Sequence, residues 1–119
     1  MAIVVTREYL ISLLNEWKNN NISITDIYET ANYLYDCREL KVLDWEEEES
    51  YSVTIEVLQY LESLNINFII QEDIDFAIEF LNTPIGKYLE GDKKWEQYTS
   101  SINYEERMKK LKGQHPYIS

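Results

Sequence analysis

Glycine and proline are scarce in this chain, and their scarcity limits the folds that it can adopt. Its 119 residues include only three glycines and two prolines. A β-sandwich or barrel needs many tight turns, which these two residue types usually supply, so the composition favours helices. A chain of this length fits one domain and can bury about two thirds of its unfolded surface. The sequence therefore predicts an all-α protein, with residues 1–119 in a single compact domain of about five to six helices.

Apolar residues recur at helical spacing along most of the chain. In chain order, the predicted helices run from about 7 to 19, 24 to 37, 48 to 64, 71 to 81, 91 to 100 and 104 to 113. Residues 38–47 have no clear period, and we interpret them as a connection. The run from Ile66 to Ile70 is compatible with either an extended or a helical piece.

Short polar residues mark the ends of several of these helices. Thr6 is the predicted N-cap of the first helix, and Ser23 or Thr25 that of the second. Asn103 is followed three residues later by a glutamate, which matches a capping box. Asn65 is predicted to end the third helix in the left-handed conformation.

Large side chains on the apolar stripes form the predicted core. Trp17 and Trp95 belong to it, and Tyr9 joins the stripe of the first helix. The third helix contributes four residues in register, which are Val53, Val57, Leu61 and Leu64.

Acidic residues are concentrated in one segment of the chain. Between Asp44 and Glu90 there are 12 acidic residues and one basic residue, Lys87, so this segment carries a charge of −11, the formal net charge of the whole chain. Such a field repels nucleic acid and anionic membranes and attracts basic protein surfaces. It therefore favours a basic protein partner and argues against nucleic acid or a membrane. An acidic surface that serves solubility alone is the simpler alternative.

Aromatic side chains accompany this acidic segment. Trp45 and Tyr51 flank the run from Glu46 to Glu49, and protein interfaces are enriched in aromatic residues. Tyr33 and Tyr35 lie on either side of Leu34 and cannot both face inward. The predicted partner-binding residues are Asp44, Trp45, Glu46, Glu47, Glu48, Glu49, Tyr51, Glu56, Asp73, Asp75, Glu79, Tyr33 and Tyr35. The carboxylates of the third and fourth predicted helices are expected to merge into one face.

The chain offers little for catalysis or for a cofactor. It has one histidine, His115, and one cysteine, Cys37, too few for a nucleophilic triad or a structural zinc site. Its scattered glycines form no phosphate-binding loop. We therefore expect no catalytic residue, no metal and no cofactor, in a protein that is not an enzyme. The apolar N-terminal run is too short for a signal peptide, so we expect a cytoplasmic protein.

The C-terminal part of the sequence resembles a known family. The motifs that carry the resemblance are Glu72-Asp73-Ile74, Glu79-Phe80-Leu81-Asn82-Thr83-Pro84, Lys93-Lys94-Trp95-Glu96-Gln97-Tyr98, Ile102-Asn103-Tyr104-Glu105-Glu106-Arg107 and Lys110-Leu111-Lys112-Gly113. They are similar to the small all-helical immunity proteins of bacterial contact-dependent growth inhibition and colicin-like toxin systems. The resemblance implies a cytoplasmic antidote that binds a cognate toxin C-terminal domain, often a nuclease, and blocks its active site.

Two kinds of acidic binder remain open from the sequence. An immunity protein would use its acidic surface to occupy the basic cleft of a nuclease, with an RNase-type toxin as the expected partner. A nucleic-acid mimic would use the same surface to inhibit a DNA- or RNA-binding protein. We expect a monomer before complex formation in the first case.

Overall fold

The structure is a computed structural model, and it describes residues 3–35, 40–43, 53–84 and 86–117. The described elements are β1 (Ile3–Thr6), α1 (Arg7–Lys18), α2 (Ile24–Tyr35), β2 (Leu40–Leu43), α3 (Val53–Glu62), α4 (Leu64–Asn67), a 3₁₀ turn (Gln71–Asp73), α5 (Ile74–Leu81), α6 (Tyr88–Ser100) and α7 (Tyr104–Leu111). The all-α prediction is confirmed. The described residues form seven α-helices instead of five or six, because the single turn α4 was not expected.

The first strand and the connection after α2 form a parallel β pair that the sequence did not predict. Ile3 of β1 lies opposite Leu40 of β2, and Thr6 lies opposite Leu43. Parallel strands need a crossover between them, and α1 and α2 provide it. Each strand has only four residues, too few to show a period of two along the sequence.

Three of the predicted helix starts, those of α1, α2 and α7, are confirmed by side-chain hydrogen bonds. The Thr6 hydroxyl accepts a bond of 3.0 Å from the Tyr9 amide at the start of α1. Ser23, not Thr25, caps α2, because its hydroxyl accepts from the Asp26 amide at 3.1 Å while its own amide donates to Asp26 Oδ2 at 2.9 Å. Asn103 Oδ1 accepts from the Glu106 amide at 3.0 Å and begins α7.

The predicted end of the third helix was wrong. Asn65 lies inside the additional turn α4, and Phe68 occupies the left-handed conformation instead, with φ of 52°. The run from Ile66 to Ile70 thus begins as a helix and continues as a loop. Within this loop the side chain of Ile69 is buried.

The predicted position of Tyr9 was also wrong, because this side chain is 41% exposed. Arg7 is buried in the same helix. Its guanidinium donates to the backbone oxygens of Leu81 and Thr83, and so satisfies carbonyl groups at the C-terminal end of α5.

The described helices other than α7 share one hydrophobic core. The stripe Val53, Val57, Leu61 and Leu64 is buried as predicted, and so are Trp17 and Trp95. α6 begins at Tyr88, three residues before the predicted start, and crosses closely over the end of α5. A Cβ atom at Gly91 would lie 2.2 Å from Thr83 Oγ1, so this contact requires glycine. None of the described helices has the length and apolar character needed to cross a membrane.

Candidate partner-binding surface

The predicted partner-binding residues divide into two groups. Seven of them lie outside the described residues, namely Asp44, Trp45, Glu46, Glu47, Glu48, Glu49 and Tyr51. The other six are described, and they are Tyr33, Tyr35, Glu56, Asp73, Asp75 and Glu79. The structure distributes these six over different environments.

Tyr33 and Tyr35 are both exposed but do not form one patch. Their exposed fractions are 67% and 42%. Their spacing of two positions corresponds to about 200° around the axis of α2. The Tyr35 hydroxyl lies 3.5 Å from Gln59 Nε2 and therefore on the side that faces α3. A single flat partner surface would reach one of these tyrosines but not both.

The prediction that Asp73 contacts a partner was wrong. Its relative exposure is 1%, and its carboxylate is occupied within the protein. Arg107 binds it in a bidentate manner, with Nη1 at 2.7 Å from Oδ2 and Nη2 at 3.0 Å from Oδ1. Asp73 also accepts hydrogen bonds from the Tyr98 hydroxyl and, at 3.0 Å, from the Ile70 amide. A buried charge with these partners supports the fold and cannot contact another protein.

The Asp73–Arg107 pair also attaches the C-terminal helix. α7 contains no buried residue. The side chain of Arg107 extends from this helix to Asp73 and to the loop before the 3₁₀ turn. There, Arg107 Nη1 also donates to the Phe68 backbone oxygen at 3.2 Å. Tyr117 stacks on Phe68, with ring centroids 6.0 Å apart, and donates to the Ile69 backbone oxygen. The C-terminal residues therefore depend on this loop for their position.

The pKa of Tyr98 also depends on its surroundings. Burial, followed by the hydrogen bond to the Asp73 carboxylate, raises the pKa of Tyr98 to about 12. Tyr98 therefore stays protonated at physiological pH and acts as a hydrogen-bond donor.

The outer face of α5 presents acidic and aromatic side chains to solvent. Asp75, Phe76 and Glu79 are exposed along it, and so is Glu72 in the 3₁₀ turn just before it. Asp75 Oδ1 lies 2.6 Å from Lys18 Nζ, in an exposed ion pair. Phe76 is 42% exposed and stacks on Tyr98, with centroids 3.6 Å apart and ring planes 8° apart. The charge pattern of the sequence did not single out Glu72 or Phe76 as contact residues, although the helical spacing of residues 72, 76 and 79 could have done so.

Glu56 belongs to a second group of carboxylates, which joins α3 to α6. It is half-buried and accepts a hydrogen bond of 2.7 Å from the Tyr88 hydroxyl. Burial raises the pKa of Glu56, and the neighbouring charges of Asp92 and Glu96 raise it further, although the Tyr88 bond opposes this. The acidic neighbours that raise the pKa of Glu56 thus lie on α6. They do not lie on α5, the helix whose carboxylates were expected to join Glu56 in one face.

A groove of about 480 Å³ separates the start of α2 from the C-terminal segment. Ser23 and His115 both line it, beside Trp17, Glu72 and Tyr117. The Ser23 hydroxyl is used in capping α2, and no hydrogen bond joins it to His115 in the described structure. In the described structure, the Ser23 hydroxyl thus serves the helix cap. In the described parts of the chain, no three His, Cys, Asp or Glu side chains are grouped to hold a metal ion.

Comparison with family models, with curated proteins and with solved structures finds no match for this chain. The resemblance to immunity proteins thus rests on the sequence motifs alone.

Proposed function

We propose that this protein is a non-enzymatic immunity protein that binds and neutralises a cognate bacterial toxin domain. The partner is a basic nuclease domain of RNase type, and an acidic surface of this protein blocks its active site. The protein acts in the cytoplasm and is a monomer before it forms the complex. The observation that carries this proposal is the confinement of the net charge of −11 to the segment from Asp44 to Glu90.

The physical reason lies in the substrate of a nuclease. A nuclease attracts a polyanion, so its cleft is basic, and an acidic protein surface fits the same cleft. Complementary charge accelerates the encounter, while close charge pairs and aromatic anchors slow dissociation. A tight inhibitor of this type needs no catalytic chemistry.

Part of the acidic segment is exposed in the described structure and supports this proposal. Glu72 in the 3₁₀ turn and Glu79 on α5 are exposed and have no ion-pair partner within the described residues. Asp75 lies between them and shares its charge with Lys18. Asp73 does not contribute, because it is buried. The aromatic Phe76 on the same face supplies apolar contact area of the kind found at interface centres.

Co-expression with the product of the adjacent gene tests the proposal. We expect that a large toxin gene precedes the gene for this protein, that the two products co-purify, and that this protein restores growth of cells that produce the toxin domain. A catalytically inactive toxin domain serves as bait for measuring affinity. Failure of the wild-type protein to bind and protect would refute the proposal. Capture of a DNA- or RNA-binding protein in place of a toxin would support the nucleic-acid mimic instead.

A further inference from the structure

The outer face of α5 and of the 3₁₀ turn before it carries an aromatic ring between two carboxylates. Glu72 lies in the 3₁₀ turn that leads directly into α5, and Phe76 and Glu79 follow on α5 at spacings of four and three positions, so the three residues share one side of this continuous helical segment. All three are exposed, and neither carboxylate has an ion-pair partner among the described side chains. We call these three residues the α5 strip.

The ring of Phe76 is held in place from behind. One of its faces is covered by Tyr98, with nearly parallel planes and centroids 3.6 Å apart. The Tyr98 hydroxyl donates to Asp73, whose carboxylate is held by Arg107. The ring is thus fixed before any partner arrives, and a preorganised contact loses little entropy on binding.

This arrangement matches the chemistry of a guanidinium group. An arginine side chain can stack its planar cation on an aromatic face while its N–H groups donate to carboxylates. A lysine ammonium has no planar surface for stacking and is more strongly hydrated. An apolar partner residue would gain from the ring but would have to desolvate the two carboxylates beside it.

We propose that the α5 strip binds an arginine side chain on the surface of a basic partner protein. This inference rests on the proposed function, in which the toxin supplies that arginine. The crevice between Phe76 and α6 measures only about 30 Å³, so the strip suits a side chain lying on a surface and not an enclosed small molecule.

Two lysine side chains lie close to the α5 strip. Lys18 is paired with Asp75 on the α1 side of the helix. Lys94 of α6 lines the crevice together with Phe76 and Glu79. Because Lys94 is a cation next to the strip, its replacement by glutamine should strengthen arginine binding.

A peptide titration followed by NMR tests the strip without the toxin. Capped tetra-arginine and tetra-lysine peptides are added to the labelled protein, and the shifts of its backbone amides are recorded. We expect the arginine peptide to shift the amides of residues 72–79 and to bind about two- to fivefold more tightly than the lysine peptide, as expected for an exposed cation–π contact. Phe76→Leu should remove this preference, whereas Lys94→Gln should strengthen binding of both peptides.

A matched charge control separates the strip from the general acidity of the protein. Glu72→Gln with Glu79→Gln removes two charges from the strip, and Glu8→Gln with Glu29→Gln removes two exposed charges from α1 and α2. The strip variant should weaken binding of the arginine peptide several-fold more than the control variant. Equal weakening, an unchanged preference in Phe76→Leu, or shifts confined to other helices would overturn the inference. Circular dichroism confirms that each variant is folded.

The same variants separate this inference from the proposed function. If the wild-type protein fails to protect against the adjacent toxin but the arginine peptide binds at the strip, the proposed function is refuted and the inference of arginine binding at the strip is retained. The opposite outcome is that the wild-type protein protects and that the triple variant Phe76→Ala, Glu72→Gln and Glu79→Gln binds the toxin equally well. In that case the inference of arginine binding at the strip is overturned, while the proposed function is retained.

Discussion

Glu56 shows how a single residue can oppose the stability of the fold. Its carboxylate is half-buried between α3 and α6 and lies near the charges of Asp92 and Glu96. Burial and these charges disfavour its ionised form, and the bond from Tyr88 compensates only in part. Polar groups that reduce stability often serve function, and this group of carboxylates is a further acidic feature that a basic partner could neutralise.

Replacing Glu56 by glutamine should therefore stabilise the protein near neutral pH. The pKa of Glu56 is raised above its ordinary value of 4.5, so its ionisation costs more in the folded state than in the unfolded state. This cost fades as the pH falls below 4.5, where both states become protonated, and it reaches its full size above the folded pKa. We expect Glu56→Gln to raise the free energy of unfolding by roughly 0.5 kcal/mol near pH 7, a small value because the group is partly solvated.

Thermal unfolding at about pH 4 and about pH 7 checks this expectation. The gain in Tm should be about 2 °C at the higher pH and should vanish at the lower one. The control Glu29→Gln, on the exposed side of α2, should show no such dependence. A gain of equal size at both pH values would show that packing, not charge, causes the effect.

Trp95 is the residue whose loss should damage the core most directly. Its ring is buried, stacks on Phe80 with centroids 5.5 Å apart, and meets the edge of Tyr60 at 4.8 Å. We expect Trp95→Ala to lower the free energy of unfolding by about 3 to 5 kcal/mol, because it leaves a large cavity. Tyr104→Ala, at an exposed aromatic, should cost far less in the same urea titration. Comparable losses would contradict the assignment of Trp95 to the core.

At the level of elements, α7 differs from the other long helices because it buries no residue of its own. It is amphipathic, and its charged face carries Glu106 and Lys110 in an ion pair of 3.1 Å. Such exposed pairs contribute little to stability. The contact with the buried Asp73 through Arg107 therefore dominates the attachment of this helix to the fold.

Arg107→Met should release α7 and destabilise the protein. Without the guanidinium, Asp73 becomes a buried charge that lacks its cation, and the expected loss is about 3 to 5 kcal/mol. Lys110→Met, one turn further along, should change the free energy of unfolding by less than about 1 kcal/mol. Urea unfolding measures both losses, and hydrogen exchange at residues 104–111 reports the release. If α7 stays protected in Arg107→Met, other contacts attach it.

At the scale of the whole molecule, charge is distributed unevenly along the chain. The C-terminal part after Glu90 is slightly basic, whereas the segment from Asp44 to Glu90 carries a charge of −11, equal to the net charge of the whole chain. A molecule with such an asymmetry orients itself in the field of a basic partner before contact. The exposed side chains of α5 give this field a defined position in the described structure.

Binding of the proposed toxin partner should therefore depend on salt through its association rate. We expect association to slow about tenfold or more between roughly 20 mM and 300 mM salt, while dissociation changes less. Surface plasmon resonance with an inactive toxin domain measures both rates. An association rate that is indifferent to salt would remove the acidic surface from the binding mechanism.

The sequence by itself determined the helices of this protein, because helices are specified by local interactions. The Thr6 and Asn103 side chains bond to amides three residues away, and the stripe from Val53 to Leu64 repeats within a few turns. Such short-range patterns are visible in one segment of chain. They indicated the all-α fold and the buried positions of Trp17 and Trp95.

Only the tertiary structure decided which acidic side chains are available to a partner. Asp73 and Glu79 look equivalent in the sequence, yet Asp73 is buried because it pairs with Arg107, 34 residues later, and Glu79 is exposed. The pairing of β1 with β2, the burial of Arg7 and the support of Phe76 by Tyr98 also join distant segments. These features depend on how the helices pack against one another, and no local pattern of residues records that packing.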